Sequence, residues 1–383
     1  MKTERLFDKD AFVFTFEAQV LSCEQQGKYH AVVLDKTAFF PEGGGQAADK
    51  GKLGGEPVCD VQEKEGVIYH YLKKPIRGTV QGTVDGETRF SRMQNHSGEH
   101  VVSGIIHRLT GADNISFSLT DSETTLAFNV PLGEDLLATV EKQANDVVFR
   151  DVSIKAFYPD KEALAALDYR SKLELTENVR LVEIAGTDLC ACCAPHCRST
   201  GQIGLIKIIG AESYKGGTKL WIVCGERALA HYDMLLKQAK NISHLLCAKL
   251  DKIVTATERL QTAKQQAEYD LVALKRRIIA EKIAAAVPAQ GLFIECCSLK
   301  GDDLRLYAEG LKEKVSGVIV VLEGDDLGGY RYVITAGESD IMPLVKAANA
   351  ALNGRGGGRE NMARGTFAAD FESIKAFFEN NGR

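Results

Sequence analysis

Asn95-His96-Ser97-Gly98-Glu99-His100 places two imidazoles four residues apart. In a helix, residues i and i+4 share a face, so both rings can point at one ion. Cys192-Cys193-Ala194-Pro195-His196 repeats that separation with a thiolate and a further imidazole. Two or three nitrogens and one sulfur suit Zn²⁺ in tetrahedral coordination, and the candidate ligands are His96, His100, Cys192 and His196. A His-x3-His pair alone is weak evidence, since helices carry such pairs by chance; joined to Cys-x3-His in the same region it is fairly strong. Cys190, Cys193 and Cys197 crowd the second motif, and any of them could ligate in place of Cys192. His107 falls on roughly the same helical stripe, but seven residues beyond His100 is about 10 Å along the axis, too far for the same ion. A surface or core role suits it better.

The pentapeptide also fits His-x-x-Glu-His, the inverted zinc-protease motif, in which Glu99 would activate water. A metallopeptidase of that kind needs a downstream carboxylate as third ligand, and Glu174 or Glu177 could supply it. The reading leaves Cys192 and His196 without a role. Cys59, Cys296 and Cys297 have no nearby His and read as small buried hydrophobes.

These residues sit in a chain of 383 with 45% hydrophobic and 26% charged residues, ordinary globular usage for two or three domains. A net charge of −5 (47 basic, 52 acidic) excludes a generally polybasic protein. Apolar runs such as Val318–Leu322 fall far short of the ~20 residues of a membrane span. The opening MKTERLFDKDAF has no apolar signal region, so ten cysteines point to a reducing, cytoplasmic setting.

The pattern predicts an α+β protein in four parts. Residues 1–89 read as a small β-barrel-like domain: Phe12, Phe14, Phe16, Ala18 and Val20 alternate, Tyr29–Leu34 and Val67–Leu72 are strand-like, and glycines punctuate the rest. Residues 90–225 form an α+β domain holding both metal motifs. In it, Val102, Ile105, Ile106 and Leu109 mark a helix from Arg92 to Leu109 stopped by Gly111, and a second helix is expected over Lys161–Lys172. Residues 226–287 contain neither Gly nor Pro, and Leu246, Ile253, Leu260, Ala267 and Leu274 repeat every seven residues. That is the seam of a coiled coil or helical hairpin, through which two chains could pair as a homodimer. Residues 288–383 alternate strand and helix as a small α/β module with room for three or four strands and a glycine-rich loop over 354–358.

Several segments resemble one family. Val33-Leu34-Asp35-Lys36-Thr37-Ala38-Phe39-Phe40-Pro41-Glu42-Gly43-Gly44-Gly45-Gln46, with Asp49 and Gly51, resembles the opening motif of the editing domain of alanyl-tRNA synthetase. His96-x3-His100 resembles its first metal motif. Asp188-Leu189-Cys190-Ala191-Cys192-Cys193-Ala194-Pro195-His196, followed by Thr200–Gly204, resembles the second. Gly354-Arg355-Gly356-Gly357-Gly358-Arg359 with Asn361-Met362-Ala363 resembles the synthetase's C-terminal module, also found beside DHH phosphoesterase domains. Order and spacing agree over nearly the whole chain, which looks like the long form of the AlaX family. The family's usual Cys-Gly-Gly-Thr-His stands here as Cys192-Cys193-Ala194-Pro195-His196, so two permissive glycines are replaced and Pro195 brings no N–H.

The resemblance implies a zinc-dependent, trans-acting hydrolase that removes serine from mischarged tRNA for alanine, with glycine as a further candidate that the sequence leaves open. Thr37 would sense the seryl hydroxyl and Gln46 would line the site near the metal. Arg355, Gly356, Gly357, Gly358 and Arg359 would contact the tRNA body. With no adenylate-forming segment and no P-loop, ATP-dependent activation of alanine is not expected, and neither is a membrane. The alternatives are the inverted-motif metallopeptidase and a non-catalytic tRNA-binding protein with structural zinc. Four protein ligands close a zinc shell and favour a positioning ion; direct catalysis would need a ligand to leave or the shell to expand.

Overall fold

The computed structural model describes residues 2–171, 179–337, 339–359 and 361–382. Glu174, Glu177 and the end of the helix expected at Lys172 lie outside them. The chain forms two compact units, Met1–Asn241 and Ile242–Arg383.

In the first unit, six strands close a barrel: β1 (Thr15–Gln26), β2 (Tyr29–Leu34), β3 (Gly51–Leu53), β4 (Glu56–Lys64), β5 (Val67–Leu72) and β6 (Thr79–Val84), in the order β1-β2-β5-β4-β3-β6. Alternation along β6, with Val80, Gly82 and Val84 inward, is the period-2 signature of a strand buried on one face. Phe16, Val32, Leu34, Phe39, Leu53 and Val61 fill its core.

The helix α1 (Gly86–Thr110) follows directly. Asp85 caps it by accepting from Thr88 N–H at 3.1 Å, and Gly111 ends it with φ 71°. Beside α1 stands a four-stranded sheet, β12-β13-β8-β7, made of β7 (Asn114–Leu119), β8 (Thr124–Phe128), β12 (Ile206–Tyr214) and β13 (Gly217–Cys224). The helix α2 (Glu134–Phe149) packs with α1 in the same core. A three-stranded sheet of β9 (Ile154–Phe157), β10 (Leu181–Ile184) and β11 (Asp188–Ala191) carries the second metal motif on its last strand's exit. The helix α3 covers only Lys161–Ala166, shorter than its pattern suggests.

The barrel and the α+β part share this unit because buried charges bind them. Arg89 Nε donates to both oxygens of Asp49 at 3.0 and 2.9 Å, its Nη1 to Ala11 O and its Nη2 to Ala38 O. Arg92 donates to Ala48 O at 2.6 Å and to Asp121 at 2.5 Å. Both guanidiniums are buried, where only paired and hydrogen-bonded charges are tolerated. The 38–49 segment is thereby held against α1.

The Gly- and Pro-free stretch is not one continuous arm. The helix α4 (Glu226–Leu245) ends, Cys247 takes φ 49°, and α5 (Ile253–Ala285) begins after a short turn. Leu246, first of the heptad positions, falls in that break, so the seam is confined to α5.

The second unit has five strands rather than three or four: β14 (Ala289–Cys296), β15 (Val315–Asp325), β16 (Gly329–Thr335), β17 (Arg355–Arg359) and β18 (Met362–Phe367), in the order β14-β15-β16-β18-β17. The pair β14–β15 is parallel, the rest antiparallel. Helices α6 (Asp302–Leu311), α7 (Met342–Ala351) and α8 (Phe371–Asn381) cover its faces. The glycine-rich segment is the edge strand β17, not a loop. A Cβ at Gly356 or Gly365 would come 2.5 Å from Tyr332 Oη, so glycine serves close packing over the Tyr332 ring.

Candidate metal centre and its cavity

His96 and His100 lie on one face of α1, and the exit of β11 brings Cys192 and His196 to them. The four ligand atoms all fall within 4.8 Å of one another. Cys192 Sγ is 3.5 Å from His96 Nε2 and 3.3 Å from His196 Nε2. A tetrahedron with Zn–S near 2.3 Å and Zn–N near 2.0 Å has S···N edges of about 3.5 Å, so this donor set fits that ion.

Each imidazole is held by its other nitrogen. His96 Nδ1 is 2.8 Å from Gln46 Oε1, His100 Nδ1 is 2.9 Å from Asp188 Oδ2, and His196 Nδ1 is 3.1 Å from Ser97 Oγ. With the proton on Nδ1 donated to these oxygens, all three Nε2 lone pairs remain for a cation. Asp188 is fixed in turn by Arg170, whose Nε and Nη2 donate at 2.7 and 2.9 Å. The spacing of the motifs gave no sign of Arg170, and Asp188 was visible only as a motif letter. Ser97 sits beside His96 in sequence, where its role could have been suspected.

The electrostatics single out Cys192 among the neighbouring thiols. Burial raises its pKa, but the imidazoles of His96 and His196 beside it and hydrogen bonds with His100 and His196 take it well below the ordinary thiol value. Burial instead pushes Cys190 up to about 11 and Cys197 up to about 12. Cys193 lines the cavity beside Gly44. For His196, burial dominates and lowers the pKa to about 3, as suits a neutral ligand. The loop that replaces the family's glycines is pinned through carbonyls: Arg180 Nη1 donates to Cys192 O and Ala194 O, both at 2.9 Å.

The cluster opens on a cavity of about 1020 Å³, with His96, Glu99, His100, Phe117 and Cys192 on its wall. Glu99 Oε1 accepts from Ser103 Oγ at 2.7 Å and Asn114 Nδ2 at 2.6 Å. Gln46 is fully buried behind His96 rather than on the wall. Its loop is tied down: Leu119 N–H donates to Gly45 O at 2.7 Å, and Gly45 has φ 84° with Phe117 O only 2.5 Å from where a Cβ would be.

Thr37 is likewise buried and does not line the cavity. His70 Nδ1 must donate to Val32 O (3.1 Å), so Nε2 accepts the Thr37 hydroxyl at 2.8 Å. Phe39 N–H donates back to Thr37 Oγ1 at 3.1 Å. The hydroxyl expected to read a substrate is thus engaged within the barrel, and His70 is a partner that sequence patterns did not reveal. Arg355 to Arg359 belong to the second unit.

Two family models match the chain: "Threonyl and Alanyl tRNA synthetase second additional domain" over residues 179–219, and "tRNA synthetases class II (A)" over residues 7–88. The alanyl-tRNA editing protein AlaX-L of Pyrococcus horikoshii is 26% identical, covering 97% of this chain and 96% of its own length. That likeness runs over nearly the whole of both chains. The alanine–tRNA ligase of Pyrobaculum calidifontis is 34% identical over 98% of the chain, which spans 43% of that ligase. A solved structure, the C-Ala domain of Aquifex aeolicus alanyl-tRNA synthetase, is similar over 24% of the chain at 24% identity and a TM-score of 0.19. No helix among the described residues is long and apolar enough to cross a membrane.

Proposed function

We propose that this chain is an AlaX-type trans-editing hydrolase that cleaves the ester of serine on mischarged tRNA for alanine, with the glycine ester as a further candidate substrate. The observation that carries the reading is the convergence of His96, His100, Cys192 and His196 beside a cavity of about 1020 Å³. That volume suits an aminoacylated terminal nucleoside better than a free amino acid.

The four residues would hold Zn²⁺, which supplies positive charge for the ester carbonyl or for the substrate's polar groups. An aminoacyl ester is already activated, so the protein has chiefly to orient it and exclude competing geometries. Gln46, Asp188 and Ser97 keep the imidazoles aimed, and Arg170 keeps Asp188 in place. Thr37 contributes from behind the wall, where its bonds to His70 and Phe39 brace the segment leading to Gln46.

In the second unit, the register Arg355↔Thr366, Gly357↔Arg364 and Arg331↔Thr366 puts Arg331, Arg355, Arg359 and Arg364 on one sheet face. Arg355 and Arg359 have no ion pair among the described residues, which suits contact with the tRNA backbone. Ten free cysteines suit a reducing, cytoplasmic setting.

The zinc-loaded protein should release serine from Ser-tRNA(Ala), spare Ala-tRNA(Ala), and leave an unstructured peptide intact. Peptide cleavage would favour the inverted-motif metallopeptidase, and binding without release of serine would favour a non-catalytic tRNA-binding protein.

A further inference from the structure

Four arginines stand on the cavity wall: Arg5, Arg108, Arg170 and Arg180. Three of them meet carboxylates of the protein itself. Arg170 is paired with Asp188 at 2.7 Å, Arg180 lies 3.6 Å from Asp8, and Arg5 is paired with Glu63 and lies 3.8 Å from Asp8. Arg108 is different. Its Nη2 donates to Gln143 Oε1 at 2.9 Å and its Nη1 to Gly186 O at 3.5 Å, both neutral oxygens. Among the described residues it has no carboxylate partner. The guanidinium is therefore positioned without being neutralised, and it keeps donors to offer.

Its place along α1 matters. His100, Gly104 and His107 line the cavity at successive turns, so the cavity follows one face of the helix from the ligand cluster to its last turn. Arg108 is eight residues past His100, ~12 Å along the axis. Helical side chains lean toward the N-terminus, which brings the guanidinium back toward the cluster. His107 beside it faces Ala112 O at 3.0 Å and the Asp113 carboxylate at 3.8 Å. Asp113, an acidic residue of the cavity wall, thus lies against His107.

An amino acid esterified to a 3′-terminal nucleotide carries a backbone phosphate one nucleoside away from the ester. We propose that Arg108 is the cavity's phosphate-binding residue, taking a backbone phosphate of the terminal nucleotides while the ester lies at the His96/His100 cluster. The assignment rests on the deacylase reading above and adds the chemical group by which the cavity distinguishes a nucleotide ester from a simple one. A guanidinium edge is well matched to two phosphate oxygens.

The test compares wild type and Arg108→Gln, both full-length and zinc-loaded, on Ser-tRNA(Ala) and on 3′-O-seryl-adenosine, which has the ester but no phosphate. The expected result is a roughly tenfold lower kcat/KM on Ser-tRNA, with a salt-dependence slope lower by about 0.7, the contribution of one single-strand phosphate. Seryl-adenosine hydrolysis should be unchanged. Equal losses on both substrates, or no loss on either, overturn the assignment. Should Arg108→Gln fail to fold, Arg108→Lys carries the test: it should keep the wild-type salt slope and seryl-adenosine rate, and a reduced slope overturns the proposal. A wild type that hydrolyses neither substrate overturns the deacylase reading itself.

Discussion

Cys192 and its neighbours share a sequence neighbourhood but not an environment. Three imidazoles surround Cys192, whereas at Cys197 burial outweighs the hydrogen bond of Ser97. Cys192→Ala is expected to lose bound zinc and deacylation together, while Cys197→Ala keeps both; elemental analysis of the purified variants decides it. His70 gives a pH signature of its own. Burial, opposed by its bond to Val32 O, lowers its pKa to about 4 from the usual 6.5. Between those values the unfolded chain binds the proton that the folded one refuses. Stability is therefore fully present above pH 6.5 and falls as pH drops toward 4, by about 3 kcal/mol from this group. Urea unfolding at pH 7 and pH 4 should show that much extra loss for the wild type over His70→Gln. Thr37→Val strands His70 Nε2 and is expected to cost about 1–3 kcal/mol. If Thr37 acts from behind the wall, the preference for Ser-tRNA over Ala-tRNA survives that substitution; a collapsed preference at unchanged stability would put its hydroxyl on the substrate.

At the scale of elements, α1 organises the site. It presents His96 and His100, offers Ser97 to His196, and is clamped through Arg89 and Arg92 to the segment that delivers Gln46. In the second unit, β17 and β18 show glycine used for contact rather than freedom. A Cβ at Gly365 would meet Tyr332 Oη at 2.5 Å, while at Gly357 nothing lies within 4 Å. Gly365→Ala should destabilise by about 1–3 kcal/mol through overpacking, and Gly357→Ala should stay within about 0.5 kcal/mol of wild type. Thermal unfolding of the pair separates the two roles; equal effects would mean that Tyr332 yields to the added methyl.

For the whole molecule, the proposed function divides recognition between chemistry in the first unit and contact with the tRNA backbone in the second. The segment 288–383 has 11 basic and 14 acidic residues, so any grip on tRNA must come from a local patch rather than net charge. Arg355→Ala/Arg359→Ala is expected to weaken tRNA binding and lower the salt slope by about 1.4–1.8 if each arginine meets one phosphate. Its rate on seryl-adenosine should match wild type. An unchanged slope in a filter-binding titration would leave β17 without that role.

What the sequence could determine by itself was local. His-x3-His and Cys-x3-His are readable because helix geometry and ligand chemistry act over four residues, and strands such as Tyr29–Leu34 and Val67–Leu72 announce themselves by alternation. Residues such as Thr37 and Gln46 could be named only through the family motif. The tertiary structure decided the rest: that Cys192 and not Cys190 gathers with the three imidazoles, that Arg170 stands behind Asp188 and His100, that the Thr37 hydroxyl is engaged by His70, and that a glycine run is a strand. Each of these depends on burial and on partners brought together from distant segments, and neither quantity is carried by the spacing of residues along the chain.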